Sequence, residues 1–224
     1  MAKSNLHTEY NFSLRRKAYK PNNKEIGLIS KTNFNLSDWG HKKYSSLKNN
    51  IKEHHLLKQK DRCAFCRKVL EGDGYHEDIE HIIAKSRRKQ WMFTIKNLVV
   101  TCRPCNRLKN ADNNLAKTFR MKKKFPEDQL AFTTLNPHFE SWNEHLTIKD
   151  IFIEAKSGSK GLETIKLYRL YRYQVCINIS RDKRMKNNSR NVDFVLDRIR
   201  IGILNSSEKA QMDKALKYFR KRIK

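Results

Sequence analysis

Apolar residues occur along this chain in short bursts, and the spacing within each burst predicts an element. Tyr44, Leu47 and Ile51 share one helical face while Lys and Asn cover the other, which predicts a helix near 38–58. "DIEHII" from Asp78 is short, β-branched and bounded by turn residues, and "NLVVT" from Asn97 reads as a second strand. Pro104 suits the first turn of a helix, where its missing N–H has no partner anyway. Leu108, Ala111, Leu115 and Phe119 continue that helix as an apolar stripe. The centre therefore reads strand, loop, strand, helix. Residues 1–36 are polar and irregular, with "PNNKE" as a turn signal. Beyond "MKKKFPED", "HLTIKDIFIEA" predicts one or two short strands and "KSGSKG" a flexible turn. Helical periodicity returns near 164–180, 191–204 and 207–223. In the last of these Met212, Leu216, Phe219 and Ile223 share a side, and Lys214, Lys217, Arg220 and Lys221 lie elsewhere, a solvated or phosphate-contacting face. The pattern is α+β: a basic N-terminal region at 1–60, a motif-bearing centre at 61–122 and a short-strand and helical region at 123–224.

Charge adds a partner to this picture. The chain carries 49 Lys plus Arg against 23 Asp plus Glu, a formal charge of +26. Such a charge destabilises a compact chain by self-repulsion unless a polyanion shares the surface. Nucleic acid is the expected polyanion, bound through phosphates; an inert basic surface and a membrane-surface protein are the alternatives. Tyr168, Tyr171 and Tyr173 alternate with Arg169 and Arg172, which suits base stacking or, equally, a half-buried core stripe. No run approaches the length that crosses a bilayer, and the N-terminus lacks the apolar stretch of a secretory signal. A soluble, cytoplasmic protein without a membrane partner is expected.

Four of the five cysteines form two pairs, Cys63 with Cys66 and Cys102 with Cys105. Paired C-x2-C spacing in a reducing compartment predicts one tetrahedral zinc, closed by four thiolates and therefore structural. An iron–sulfur cluster or two dithiol switches are the other readings, and the clip alone would equally suit a zinc-ribbon binding module. Cys176, among apolar neighbours, reads as a buried thiol.

Between the pairs Glu77, Asp78 and Glu80 crowd His81. Neutral imidazole can serve as a base near pH 7, and carboxylates with amide carbonyls suit Mg2+. In an extended strand Glu80 and His81 point to opposite faces, and only a frayed end or bulge lets both reach one cleft. Cys105 and Asn106 project about 100° apart around a helix, so zinc can hold one while the other faces the strand. "CAFC … DIEHIIAKS … KNLVVTCRPCNRLKN" resembles an HNH endonuclease with zinc-binding CxxC pairs, over residues 63–110. The resemblance implies a ββα-metal core and metal-dependent hydrolysis of phosphodiesters, of DNA first. It makes His81 the general base and Glu80 and Asn106 ligands of a catalytic Mg2+ or Mn2+. It gives Asn97 the task of fixing the loop and orienting the histidine. Ala84 stands where many family members have Pro, and a Gly-Gly pair is missing from the following loop. In that loop Arg87, Arg88 and Lys89 are candidate nucleic-acid contacts, with Arg107 and Lys109 on the helix; a solvated lysine is the plainer reading of Lys109. His54, His55 and His76 match nothing in the motif.

"NPHFESWNEHLTI" and "GLETIKLYRLYRYQV" are similar to the C-terminal part of HNH proteins in bacterial antiphage modules, the Septu and retron-linked nucleases among them. That likeness implies a separate SMC- or ABC-type ATPase subunit, since this chain has no G-x-x-x-x-G-K-[ST] loop of its own. The rivals are a non-catalytic zinc-ribbon-like nucleic-acid-binding protein, an RNase on the same core, and an interaction subunit with a decayed site.

Overall fold

Asn22 starts the first helix that lies wholly within the described residues. Its side chain accepts from the Glu25 N–H at 3.0 Å while the Glu25 carboxylate accepts from the Asn22 N–H at 2.9 Å. This capping box satisfies two otherwise orphaned donors and begins α1 (Asn23–Ser30). "PNNKE" is thus a helix start and not the turn in an irregular stretch that its composition predicts. The computed structural model describes residues 10–70, 77–112, 114–149 and 152–182.

The helix expected near 38–58 begins later. Two 3-10 turns, Leu36–Gly40 and Lys42–Tyr44, precede α2 (Ser45–Lys58), which buries Leu47, Ile51 and His55. The central strands follow as expected. β1 (Glu77–His81) pairs antiparallel with β2 (Leu98–Cys102), with Glu77 opposite Cys102 and His81 opposite Leu98. Every residue of β2 is buried, so this strand runs through the core. Next comes α3 (Arg103–Lys109), with Pro104 in its first turn. The apolar stripe predicted to prolong it through Phe119 does not. Asn110 adopts φ 50°, which ends the helix, and Leu115 turns into the core by bridging to Phe132.

A capping box from Ser141 and Glu144 opens the short α4 (Trp142–His145), and the chain runs directly into β3 (Leu146–Lys149). β4 (Phe152–Ala155) pairs antiparallel with β3, Leu146 opposite Ala155. After a turn containing Gly158 at φ 65° come α5 (Gly161–Tyr168) and α6 (Tyr173–Asp182). The single helix predicted over 164–180 is therefore broken, and Arg169, left-handed at φ 44° and ψ 54°, is the break. Gly161 is required: a Cβ there would fall 2.1 Å from the His145 carbonyl oxygen, where α5 starts against the hairpin. The helices predicted at 191–204 and 207–223 lie outside the described residues.

One core cluster joins the cysteines, β2 and the C-terminal elements, so the region after 123 packs onto the centre. Trp142, 1% exposed, donates from Nε1 to the Phe65 carbonyl at 2.9 Å, and Tyr168 stacks on the Phe65 ring at 3.7 Å. Of the two readings of the tyrosine–arginine run, Tyr168 thus belongs to the core. A second cluster of Tyr44, Leu47, Ile51, Met92, Phe93 and Leu98 fastens α2 to the loop between β1 and β2. No helix among the described residues is long and apolar enough to cross a membrane.

Candidate metal centre and the adjoining cleft

Cys63 and Cys66 occupy a tight turn in which the Cys63 N–H donates to the Lys68 carbonyl at 2.8 Å and the Arg67 N–H to the Cys63 carbonyl at 3.1 Å. Cys102 ends β2, and Cys105 lies one turn into α3. All four are buried and free of disulfides. Their sulfurs lie within 4.8 Å of one another, Cys66 and Cys102 at 3.6 Å. A tetrahedral zinc with Zn–S bonds of about 2.3 Å needs sulfurs about 3.8 Å apart. The cluster can therefore hold zinc, and with all four positions taken by protein that ion is structural. Burial works against the Cys63 thiolate, but hydrogen bonds from the other three thiols outweigh it and hold it well below the usual thiol range. Burial and the same sharing push Cys105 well above it. A divalent ion removes that conflict by letting all four ionise.

Two guanidiniums, the fully buried Arg67 and the half-buried Arg172, face this cluster. Arg172 donates to Cys105 Sγ at 3.1 Å across 67 residues of chain. Burial disfavours its charge, yet the Cys105 and Cys66 thiolates more than compensate and raise its pKa. Arg67, fully buried, donates to the Cys63 carbonyl at 3.1 Å and to the Gln59 carbonyl at 2.9 Å. Four thiolates around one zinc leave two negative charges, which these two cations offset.

The three carboxylates beside His81 do not converge on it. Glu77 pairs with Lys52 at 3.1 Å, Asp78 accepts from Asn106 Nδ2 at 3.0 Å, and Glu80 pairs with Lys109 at 2.7 Å. Asp78 and Glu80 are two apart on β1 and so share a strand face. They meet Asn106 and Lys109, which are three apart and share a face of α3. Lys109 is fully buried beneath this contact, not the solvated lysine its sequence context implied. Burial lifts the Glu80 carboxyl to about 7, the Lys109 ammonium pulling against it.

His81 closes β1. Its Nε2 is 3.1 Å from the Met92 carbonyl, and the Trp39 ring meets the imidazole edge-on at 4.4 Å. Burial, opposed by the Met92 bond and reinforced by Lys85 and Lys109, lowers its pKa to about 3. The ring is neutral at pH 7, donating to the carbonyl through Nε2 and keeping Nδ1 as acceptor. Glu80, His81, Asn106, Arg107 and Lys109 line one cleft of about 410 Å3. Trp39 and Lys85, which no motif marks, also line it. The other predicted residues lie elsewhere. Asn97, fully buried, accepts from the Ile83 N–H at 2.7 Å and donates to the carbonyls of Ile83 at 3.0 Å and Trp91 at 3.2 Å. It staples the loop behind His81 and does not enter the cleft. Arg87 donates to the Ala111 carbonyl and Arg88 to the Arg120 carbonyl, while Lys89 is exposed.

Removing Lys109 leaves the Glu80 carboxyl buried without its counter-charge, so it must take up a proton or stay unpaired. Lys109→Ala is expected to cost about 3–5 kcal/mol. A Glu80→Gln/Lys109→Met double variant should restore most of it. Urea unfolding of both variants checks this, and a Lys109→Ala protein as stable as wild type refutes the pairing.

Residues 148–224 match the family model of the ATPase MipZ. That span is less than half of the chain and begins in β3, beyond the four paired cysteines and the cleft. No curated protein and no solved structure matches the chain. No HNH family model matches either, and this overturns the HNH endonuclease assignment, its phosphodiester hydrolysis and its antiphage role. The geometry gives a physical reason why the motif misled. Two C-x2-C pairs need only a hairpin and a helix to meet. The polar residues between them are taken up by one another: Glu80 by Lys109, Asp78 by Asn106 and His81 by a backbone carbonyl.

Proposed function

We propose that the chain is a zinc-structured nucleic-acid-binding protein whose cleft between β1 and α3 takes a backbone phosphate, of double-stranded DNA first. The lining carries this reading. Lys85, Arg107 and Lys109 surround the cleft, and its one carboxylate, Glu80, is already neutralised by Lys109. In a chain of +26 the field at the cleft is positive. Lysine, arginine and the Ser86 hydroxyl supply donors that phosphate oxygens accept. A Mg2+ or Mn2+ ion on Glu80 and Asn106 would have to displace Lys109 first, whereas direct contact by the cations requires no displacement.

The match to the ATPase MipZ model favours a second reading, an ATP-linked role for the C-terminal part. The 224 residues contain no G-x-x-x-x-G-K-[ST] loop, so this reading assigns phosphate-loop chemistry to a partner ATPase of the SMC or ABC type.

Fluorescence anisotropy on a short labelled duplex tests the first reading. Wild-type protein should bind at low salt and weaken as salt or Mg2+ rises. Lys85→Gln/Arg107→Gln should bind about tenfold more weakly, two phosphate contacts having been removed. Wild-type protein that does not bind, or a variant that binds equally well, rejects it. ATP turnover stimulated by the duplex in the same preparation would favour the second reading.

A further inference from the structure

Beside the cleft the surface rises into a basic ridge built from two segments far apart in sequence, residues 85–89 and 117–124. Arg88 donates to the Arg120 carbonyl, and Trp91 donates from Nε1 to the Lys123 carbonyl at 3.2 Å. Trp91 is buried and meets Phe125 edge-on at 5.5 Å, which ties the ridge backbone to the core. Arg120 adds a hydrogen bond from Nε to the Leu115 carbonyl at 3.3 Å. The backbone is held from below while Lys89, Lys117 and Lys122 to Lys124 remain exposed.

"KSRRK" and "KTFRMKKK" together contain nine Lys and Arg and no Asp or Glu. Among the described residues none of these nine forms an ion pair. Other cations nearby are matched: Lys96 takes Glu127 at 2.7 Å and Lys52 takes Glu77 at 3.1 Å. Glu127, the first acid after the ridge, is thus drawn away from it. Met121 stands at the crest, 90% exposed between Arg120 and Lys122. On a surface that grips a duplex, an apolar side chain in this position can enter a groove and contact base steps while cations hold the phosphates.

We propose that this ridge binds the sugar–phosphate backbone of a nucleic-acid duplex, with Lys122, Lys123 and Lys124 on phosphates and Met121 in the adjoining groove. The inference rests on the nucleic-acid reading above and adds a second, separable contact surface. Charge complementarity selects the occupant, and a duplex, unlike a plain polyanion, offers the exposed methionine a groove to enter.

The test uses the full, zinc-loaded chain and a short labelled duplex over a series of salt concentrations. Lys122→Gln/Lys123→Gln/Lys124→Gln should flatten the slope of log K against log salt by about 2–3, since each phosphate contact contributes about 0.9. Met121→Ala should weaken binding about three- to tenfold at every salt concentration and leave the slope unchanged, because an apolar contact releases no counterions. All four positions are exposed, so zinc content and melting temperature should match wild type. Wild-type binding with an unchanged slope in the triple variant overturns the ridge and leaves the cleft reading standing. Absence of wild-type binding overturns both. Binding to anionic vesicles but not to the duplex rejects nucleic acid as the occupant.

Discussion

Cys102→Ser is expected to release the metal and unfold the centre of the chain. Cys102 closes β2, whose five residues are all buried, and it lies opposite Glu77 in the pairing of β1 with β2. It also leads directly into α3, so one side chain links strand, helix and metal. A hydroxyl is a far poorer zinc ligand than a thiolate, and three thiolates do not close a tetrahedral shell. Apparent binding free energies of structural zinc run to about 10–16 kcal/mol. Whole domains are stable by only about 5–15 kcal/mol. Losing the ion therefore removes a quantity as large as the entire stability of the fold. The variant should fall from about one zinc per chain to almost none and lose its near-ultraviolet circular dichroism. Arg172 would then be half-buried without its thiolate partners, so the disturbance should extend into α5 and α6. A Cys102→Ser protein with full zinc and an unchanged melting temperature would refute a structural metal.

Acid should weaken the fold well above the range in which carboxylates titrate. His55, His81 and His138 are buried and neutral. Burial, with smaller contributions from His138 and His54, lowers His55 to about 2; burial lowers His81 to about 3 and His138 to about 4. In the unfolded chain they titrate near 6.5. Below that pH the unfolded state binds protons that the folded state refuses. Their stabilisation is therefore complete above about 6.5 and is lost as pH falls toward the folded values. Each loses roughly 3 kcal/mol between pH 7 and pH 4. Glu80 acts in the opposite sense: its raised pKa means the folded state takes up its proton first, returning about 3 kcal/mol over the same interval. The net loss is on the order of 6 kcal/mol, enough to unfold many domains. Urea unfolding at a series of pH values, with zinc content followed in parallel, checks this. A stability unchanged between pH 7 and pH 5 would show that these imidazoles are not buried as described.

Much of the architecture was legible because it depends on local rules. Alternation and β-branching located β1 and β2, Pro104 marked the start of α3, and the periodicity of Leu47 and Ile51 located α2. The errors also have local causes. "PNNKE" supports a turn or a capping box equally well until Glu25 is seen accepting from Asn22, Tyr19 and Asn50 at once. Leu115 fits the stripe of α3, but the bridge to Phe132, set by tertiary packing, takes it elsewhere. At the cleft, residue types were legible and pairings were not. Nothing in "EDIEH" states that Glu77, Asp78 and Glu80 take three different partners.

By itself the sequence determined a zinc-competent set of four thiols, a strongly basic net charge, and the order of the central elements. These follow from composition and from spacings of a few residues. Only the tertiary structure decided which charges remain available to a ligand. Lys109 is consumed by Glu80, and Arg172 is drawn 67 residues back along the chain to Cys105, whereas Lys122 to Lys124 stay in solvent. Side chains that look alike along a chain are separated by burial, since a charge removed from water must find its counter-charge and a charge left in water need not.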